Sequence, residues 1–258
     1  SSSTNDIQIQ RGVGASTTGA SAFGASINLS TLSTINSNKP YGEISSSYGS
    51  FNSLKNTVKL GTGLIDGKWN FEGRLSKIAS DGFIDRSSSD LRSYYLSGSY
   101  LGEKTSIQAV VFSGHEKTHQ AWYGIPLSLL NNNSDSAQTY NPYDYDNEID
   151  NYQQSHYQLH FTNKPSNKLK LNASFHYTRG KGYFEQYVGS EFNSTMYNGD
   201  YTYGKDLFSY YGLDDLIISG DTITQTNLIR RRWLDNHFYG VVYSAEYFAD
   251  DFQLTLGG

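Results

Sequence analysis

Cysteine is absent from these 258 residues, so neither a disulfide scaffold nor a thiolate metal site can form. Methionine (1) and proline (4) are scarce, while Tyr (22), Phe (13) and Gly (25) are plentiful. Aromatics and Gly at these levels suit strands and tight turns better than helices. No run of about 18 apolar residues occurs, which excludes a transmembrane helix. A strong charge of either sign is also missing: the formal net charge is −5, which gives no reason to expect nucleic acid as a partner. Catalytic signatures are missing too. There is no Cys nucleophile, no Gly-x-Ser-x-Gly elbow and no P-loop, and Ser is so common that Ser/His/Asp coincidences carry no information. An enzyme is not expected.

Alternation is what the chain has instead. From Gly42 onward the apolar residues recur with period two. Leu54, Val58 and Leu60 fall on one face of a strand and Lys55, Thr57 and Lys59 on the other. Trp69, Phe71 and Leu75 alternate with Asn70, Glu72 and Arg74. Tyr94, Leu96 and Tyr100 alternate with Ser93, Ser97 and Ser99. The pattern returns at Tyr157–Phe161, at Leu169–Tyr177 and at Tyr239–Tyr247, and a last strand starts at Phe252. About nine strands are predicted, several of ten residues or more, which is beyond the usual five or six of soluble sheets.

The connections have parity. Those after the second, fourth, sixth and eighth strands are short (IDGK, LGEK, KPSNK, ADD), whereas long insertions fall near 119–154 and 179–231. Long loops confined to one end of the sheet, with short turns at the other, are the mark of an outer-membrane barrel. Low mean hydropathy does not oppose this, because only alternate residues face lipid. A lipid-facing Lys at midplane costs roughly 2–4 kcal/mol. Lys55, Lys59, Glu72, Arg74, His160 and Lys170 lie opposite the apolar residues and are therefore expected to point inward. Trp69, Tyr100 and Tyr247 suit an aromatic girdle at the short-turn end, and Tyr157 and Tyr177 one at the long-loop end. Nine strands leave an unpaired edge that a bilayer does not tolerate, so the chain is expected to be a segment of a larger barrel.

Before this alternation lies a stretch of a different kind, Ile7–Thr31, IQIQRGVGASTTGASAFGASINLST. A short strand, Ile7–Gln10, leads through Gly, Ala, Ser and Thr to a second strand, Ser26–Ser30. Arg11-Gly12, Gly19, Phe23-Gly24 and Ile27-Asn28-Leu29 resemble the end of the plug domain of TonB-dependent outer-membrane receptors. Val13 stands where that family often has Pro, and Thr18 where it often has an aromatic; these departures resemble the Bacteroidetes branch. The resemblance implies an all-β fold in which residues 1–38 end a plug domain and residues 39–258 begin a transmembrane antiparallel β-barrel of the bacterial outer membrane. It also implies active import of a scarce, large ligand, a metal chelate such as a siderophore, haem or cobalamin being favoured. The energy would come from a TonB–ExbB–ExbD complex. A SusC-like glycan or peptide importer working with a surface lipoprotein is one alternative, and a passive porin or structural barrel another.

Several residues stand out as candidate sites. The resemblance implies a plug–barrel latch between Arg11 and an inward carboxylate, Glu72 or Glu246. Trp122, Tyr123, Tyr140, Tyr143 and Tyr145 in the first long insertion, with Tyr183, Phe184, Tyr187, Tyr201, Tyr203, Tyr210 and Tyr211 in the second, are candidate ligand contacts. Tyr offers rigid amphipathic area at low entropic cost, and loops on a rigid scaffold commonly carry binding. Loop–loop packing and contact with lipopolysaccharide are the other roles open to them. Arg230-Arg231-Arg232 beside Trp233 suits an anionic lipid, an anionic ligand or a solvated loop base. His115/His119 and His156/His160 each share a strand face, but the sequence places no third metal ligand beside either pair. Asp144, Asp146, Glu148 and Asp150 have the oxygen density of a calcium loop but lack the EF-hand glycine, since Ile149 holds the sixth position.

Overall fold

A computed structural model describes residues 4–12, 24–31, 39–130, 135–189, 207–224 and 226–258. β1 (Thr4–Arg11) and β2 (Ala25–Thr31) pair antiparallel as a hairpin of their own, with Ile7 opposite Leu29 and Ile9 opposite Ile27. The amide of Gly12 (φ 82°) closes this ladder onto the carbonyl of Gly24 at 2.8 Å. Gly14, Gly19 and Phe23 lie outside the described residues.

The wall follows: β3 (Tyr41–Gly49), β4 (Ser53–Gly61), β5 (Trp69–Ser80), β6 (Ser89–Leu101), β7 (Thr105–His119), β8 (Ile149–Ser166), β9 (Leu169–Val188), β12 (Leu228–Phe248) and β13 (Gln253–Gly257). Each pairs antiparallel with the next in one nine-stranded sheet, and β3 and β13 are its edges. The short helices α1 (Leu127–Leu130) and α2 (Asp135–Gln138) lie between β7 and β8. The helix α3 (Leu207–Tyr211) and the β10–β11 hairpin (Leu216–Ile218, Asp221–Ile223) lie between β9 and β12. The predicted all-β partial barrel of nine strands is what the chain forms.

Turn chemistry sets the register. Asp66 and Gly67 both have positive φ (49° and 66°), and Lys68 donates its amide to the carbonyl of Ile65 at 2.9 Å. This is the turn whose twist matches a hairpin. Phe51 and Asn52 (φ 58° and 53°) make the equivalent turn between β3 and β4. Asn52 is held there by Tyr48 and Asp81.

The two faces of the wall are the reverse of a soluble protein's. Its large apolar side chains are the exposed ones: Ile44, Leu60, Leu75, Leu96, Phe175, Tyr239 and Leu256 among them. Polar ones on the opposite face are buried, including Thr57, Asn70, Glu72, Ser97, Ser99 and Thr178. Side chains crowd together on the concave side of a curved sheet and spread apart on the convex side. The polar face is therefore the inside of the curve. It holds Lys59 against Glu43 (3.0 Å) and Lys170 against Glu246 (2.9 Å). On the outer face one continuous row, Leu60–Gly73–Leu96–Val111–Tyr157–Tyr177–Tyr239, contains no polar side chain apart from tyrosine hydroxyls. An apolar expanse of this size in water would mark an interface.

The strands run further than the apolar alternation does. β8 begins at Ile149, β9 continues to Val188 and β12 starts at Leu228, so residues 149–154, 179–188 and 228–231 belong to the wall and not to insertions. At 3.3 Å per residue, β12 is about 70 Å long, far more than an apolar band of about 25 Å requires. Beyond that band the outer positions need not be apolar. Asn151, Gln153, Arg179 and Lys181 occupy them, and the ladder continues without the periodicity that reveals it. Leu96→Lys at the middle of the apolar row is expected to lower stability by about 2–4 kcal/mol, read from urea unfolding in lipid bilayers, whereas Leu96→Ala costs far less.

Candidate functional site

The long-loop end of the wall gathers the aromatic residues. Gln120, the first residue after β7, is fully buried and fixes the loop: its amide donates to the carbonyls of Ile149 (3.1 Å) and Glu185 (2.9 Å), and its oxygen accepts from Gln186 (2.9 Å). Arg86, from the loop between β5 and β6, donates to the carbonyls of Tyr143 (2.6 Å) and Asn141 (2.9 Å). Asn141 donates in turn to the carbonyls of Asp85 (2.8 Å) and Gln120 (3.0 Å). Two loops far apart in sequence are thereby joined as one rim.

On this rim Trp122 meets Phe184 edge-on at 5.8 Å and Tyr143 at 6.3 Å, and Tyr123 lies 5.4 Å from Tyr143. Tyr143 is buried and forms the base, while Trp122 and Tyr123 remain about half exposed. Phe184 and Arg232 are register partners on the inner face. The Arg232 guanidinium stands 5.8 Å over the Phe184 ring, and among the described residues no carboxylate is paired with it. The result is an inward-facing patch of aromatic surface with an available cation.

The other expected contacts separate from this patch. Tyr145 lies 6.1 Å from the Tyr187 ring, tilted against it, and donates its hydroxyl to Glu185 (2.9 Å). Glu185 is fully buried and also accepts from Asn147 and Arg231. Tyr183 faces outward against Trp233 (4.7 Å), with Arg231 over its ring. Tyr140 joins none of these ring contacts, and Tyr201 and Tyr203 lie outside the described residues. Sequence reading singles out Arg230–Arg232 but not Gln120, Glu185 or Arg86. One Gln, Glu or Arg among many polar residues gives no signal.

Arg11 ends β1 exposed and, among the described residues, pairs with neither Glu72 nor Glu246. Glu72 faces inward from β5 and is buried, and Glu246 is engaged by Lys170 and by Asn172 (3.0 Å). The four candidate histidines are held by hydrogen bonds: His115 to Asn151, His119 to Ser88 and the carbonyl of Asp146, His156 to Thr178, and His160 to Ser174. Among the described residues no three His, Asp or Glu side chains converge to hold a metal, Asp144, Asp146, Glu148 and Asp150 included.

No protein-family profile matches the chain, and no curated protein matches it in sequence. Solved structures do match. The ferric-catecholate import receptor Fiu from E. coli K12 superposes in its open form with a TM-score of 0.70 at 14% identity, over 99% of this chain and 38% of that one. The closed form gives 0.63 at 14% identity, over 99% of this chain and 35% of that one. The chain shares its fold with Fiu. It spans little more than a third of that receptor.

Glu148, buried under this rim, has its pKa pushed up to about 7. Burial disfavours its charge and Asp144 adds repulsion, while the Tyr187 amide and Arg86 pull the other way. A carboxyl raised in the folded state takes up a proton on folding, so its stabilising contribution is complete below the ordinary value of 4.5 and is lost progressively as pH rises from there to about 7. Hydrogen exchange of residues 141–148, corrected for intrinsic rate, is expected to quicken as pH rises from 4.5 and to level off above about 7, and Glu148→Gln to remove that change. Glu185→Ala is expected to expose the same loop at every pH. Tyr145, Asn147 and Arg231 all lose the acceptor they share.

Proposed function

We propose that this chain forms part of a TonB-dependent importer of the bacterial outer membrane whose ligand is an anionic, aromatic metal chelate. The observation that carries the proposal is the inward cluster of Trp122, Phe184 and Arg232. Stacking surface beside a guanidinium suits a ligand with both rings and negative charge. The shared fold with a ferric-catecholate import receptor supports the same reading. The apolar outer face supports a bilayer location, because lipid covers it without leaving backbone groups unpaired. In this reading the β1–β2 hairpin and Arg11 belong to the end of a plug that the barrel surrounds, with Glu72 or Glu246 as switchable partners for Arg11 when the plug moves. A TonB–ExbB–ExbD complex supplies the pull.

Uptake of a radiolabelled ferric catecholate by cells carrying the protein tests this. Trp122→Ala and Arg232→Gln are each expected to weaken binding by roughly 5–30-fold, the scale of one desolvated cation–π or aromatic contact, with the amount of protein in the outer membrane unchanged. Uptake is expected to stop when the proton gradient is collapsed. Uptake that survives this collapse, or steady open conductance in planar bilayers, would instead identify a passive pore.

A further inference from the structure

Lysine and arginine on the outer face are confined to its long-loop end. One hydrogen-bonded row there runs Asn56–Lys77–Arg92–His115–Gln153–Lys181–Asp235 across seven strands. It lies eight residues, or about 26 Å of strand, beyond the row of Trp69 and Tyr100, which are register partners near the short turns. With strands tilted about 35–45° this is roughly 20 Å of height, a little less than an apolar band of about 25 Å. The row therefore falls at the boundary between acyl chains and headgroups on the extracellular side.

The charges in this boundary do not balance. Asp90 accepts two hydrogen bonds from Arg92 (both 3.1 Å) and lies 3.6 Å from Lys77, while Lys117 is its register partner. Two cations thus share one carboxylate, and a third stands opposite it in register. Arg92 and Lys77 are 64% and 50% exposed, so their remaining donors stay accessible. Immediately below them the wall is indented. A groove of about 400 Å³ has Lys77, Arg92 and His115 along its upper edge and Val58, Leu75, Tyr94 and Ser113 along its floor. The indentation arises at Ser113, which is buried and bonded to Ser155 at 2.8 Å, where neighbouring positions of the same face carry Tyr94 and Tyr157.

We propose that this groove binds a phosphate-bearing glycolipid of the outer leaflet, the lipid A portion of lipopolysaccharide. Its phosphate would meet Lys77 and Arg92, and an acyl chain would lie over Val58, Leu75 and Ser113. Charge complementarity and an apolar floor continuous with the lipid-facing band select this occupant. A soluble anion would have no use for the floor, and a zwitterionic lipid none for the excess charge. The inference rests on the outer-membrane reading of the wall but not on the identity of the imported ligand.

The test measures binding of fluorescent lipid A to the detergent-solubilised protein, with phosphatidylcholine and inorganic phosphate as competitors. Lys77→Gln with Arg92→Gln is expected to weaken binding roughly thirtyfold, about fivefold per cation at a membrane surface. Ser113→Phe fills the groove without touching a charge and is expected to weaken binding comparably. Lys55→Gln, on the inner face, should leave it unchanged. Heat-modifiable mobility and flotation with vesicles report folding and insertion separately. Lipid A binding equal in the double variant and the parent, or displacement by millimolar inorganic phosphate, overturns the proposal. A protein that does not float with vesicles overturns the outer-membrane reading beneath it as well.

Discussion

Everything in this structure depends on the antiparallel backbone ladder. Inside a bilayer no water is present to satisfy an amide or a carbonyl, so a wall of paired strands is one of the two ways for a chain to cross. Nine strands in unbroken neighbour order meet that constraint for all but the two edges, β3 and β13. Once the backbone is satisfied internally, side chains are free to be sorted by face alone. The sorting is complete enough that one row of seven positions on the outer face carries no charge, while Lys–Glu pairs sit inside.

The same ladder serves a second purpose outside the bilayer. β9 and β12 remain paired up to Val188 and Leu228, which makes them a rigid post for the loops. Phe184, Glu185 and Gln186 are three successive residues of that post with separate tasks. Phe184 contributes ring surface to the inside, Glu185 anchors Tyr145 and Asn147, and Gln186 braces Gln120 and Arg230. An aromatic patch on a loop would be poorly placed for recognition if the loop were free. Here Arg86, Asn141 and Gln120 fix its backbone through buried hydrogen bonds, whose loss would leave unpaired groups at about 1–3 kcal/mol each.

Charge is used differently on the two faces. Inside, cations and carboxylates oppose one another in register, as at Lys59–Glu43 and Lys170–Glu246. Outside, the charges form a row with more cations than carboxylates at the level where the apolar band ends. One arrangement suits a passage that must remain hydrated, and the other suits contact with an anionic lipid surface, where each basic residue counts for about 1 kcal/mol.

The alternation of Leu54 to Leu60, of Trp69 to Leu75 and of Tyr239 to Tyr247 determined which residues take the outer face and how many strands there are, because a strand turns every second side chain to the same side. The Asp66-Gly67 turn and the parity of loop lengths were legible for the same reason: backbone geometry and membrane asymmetry act locally on the chain. The extensions of β8, β9 and β12 were not legible, since outside the lipid no pressure keeps Asn151, Arg179 or Lys181 apolar. The rim was half legible. Trp122, Tyr143 and Phe184 stand out as aromatics, but Tyr183 and Phe184 are adjacent and point to opposite faces, and only the register with Trp233 and Arg232 decides which one turns inward. Gln120, Glu185 and the row from Lys77 to Asp235 exist as features only when strands far apart in sequence lie side by side, so tertiary structure alone assembled them.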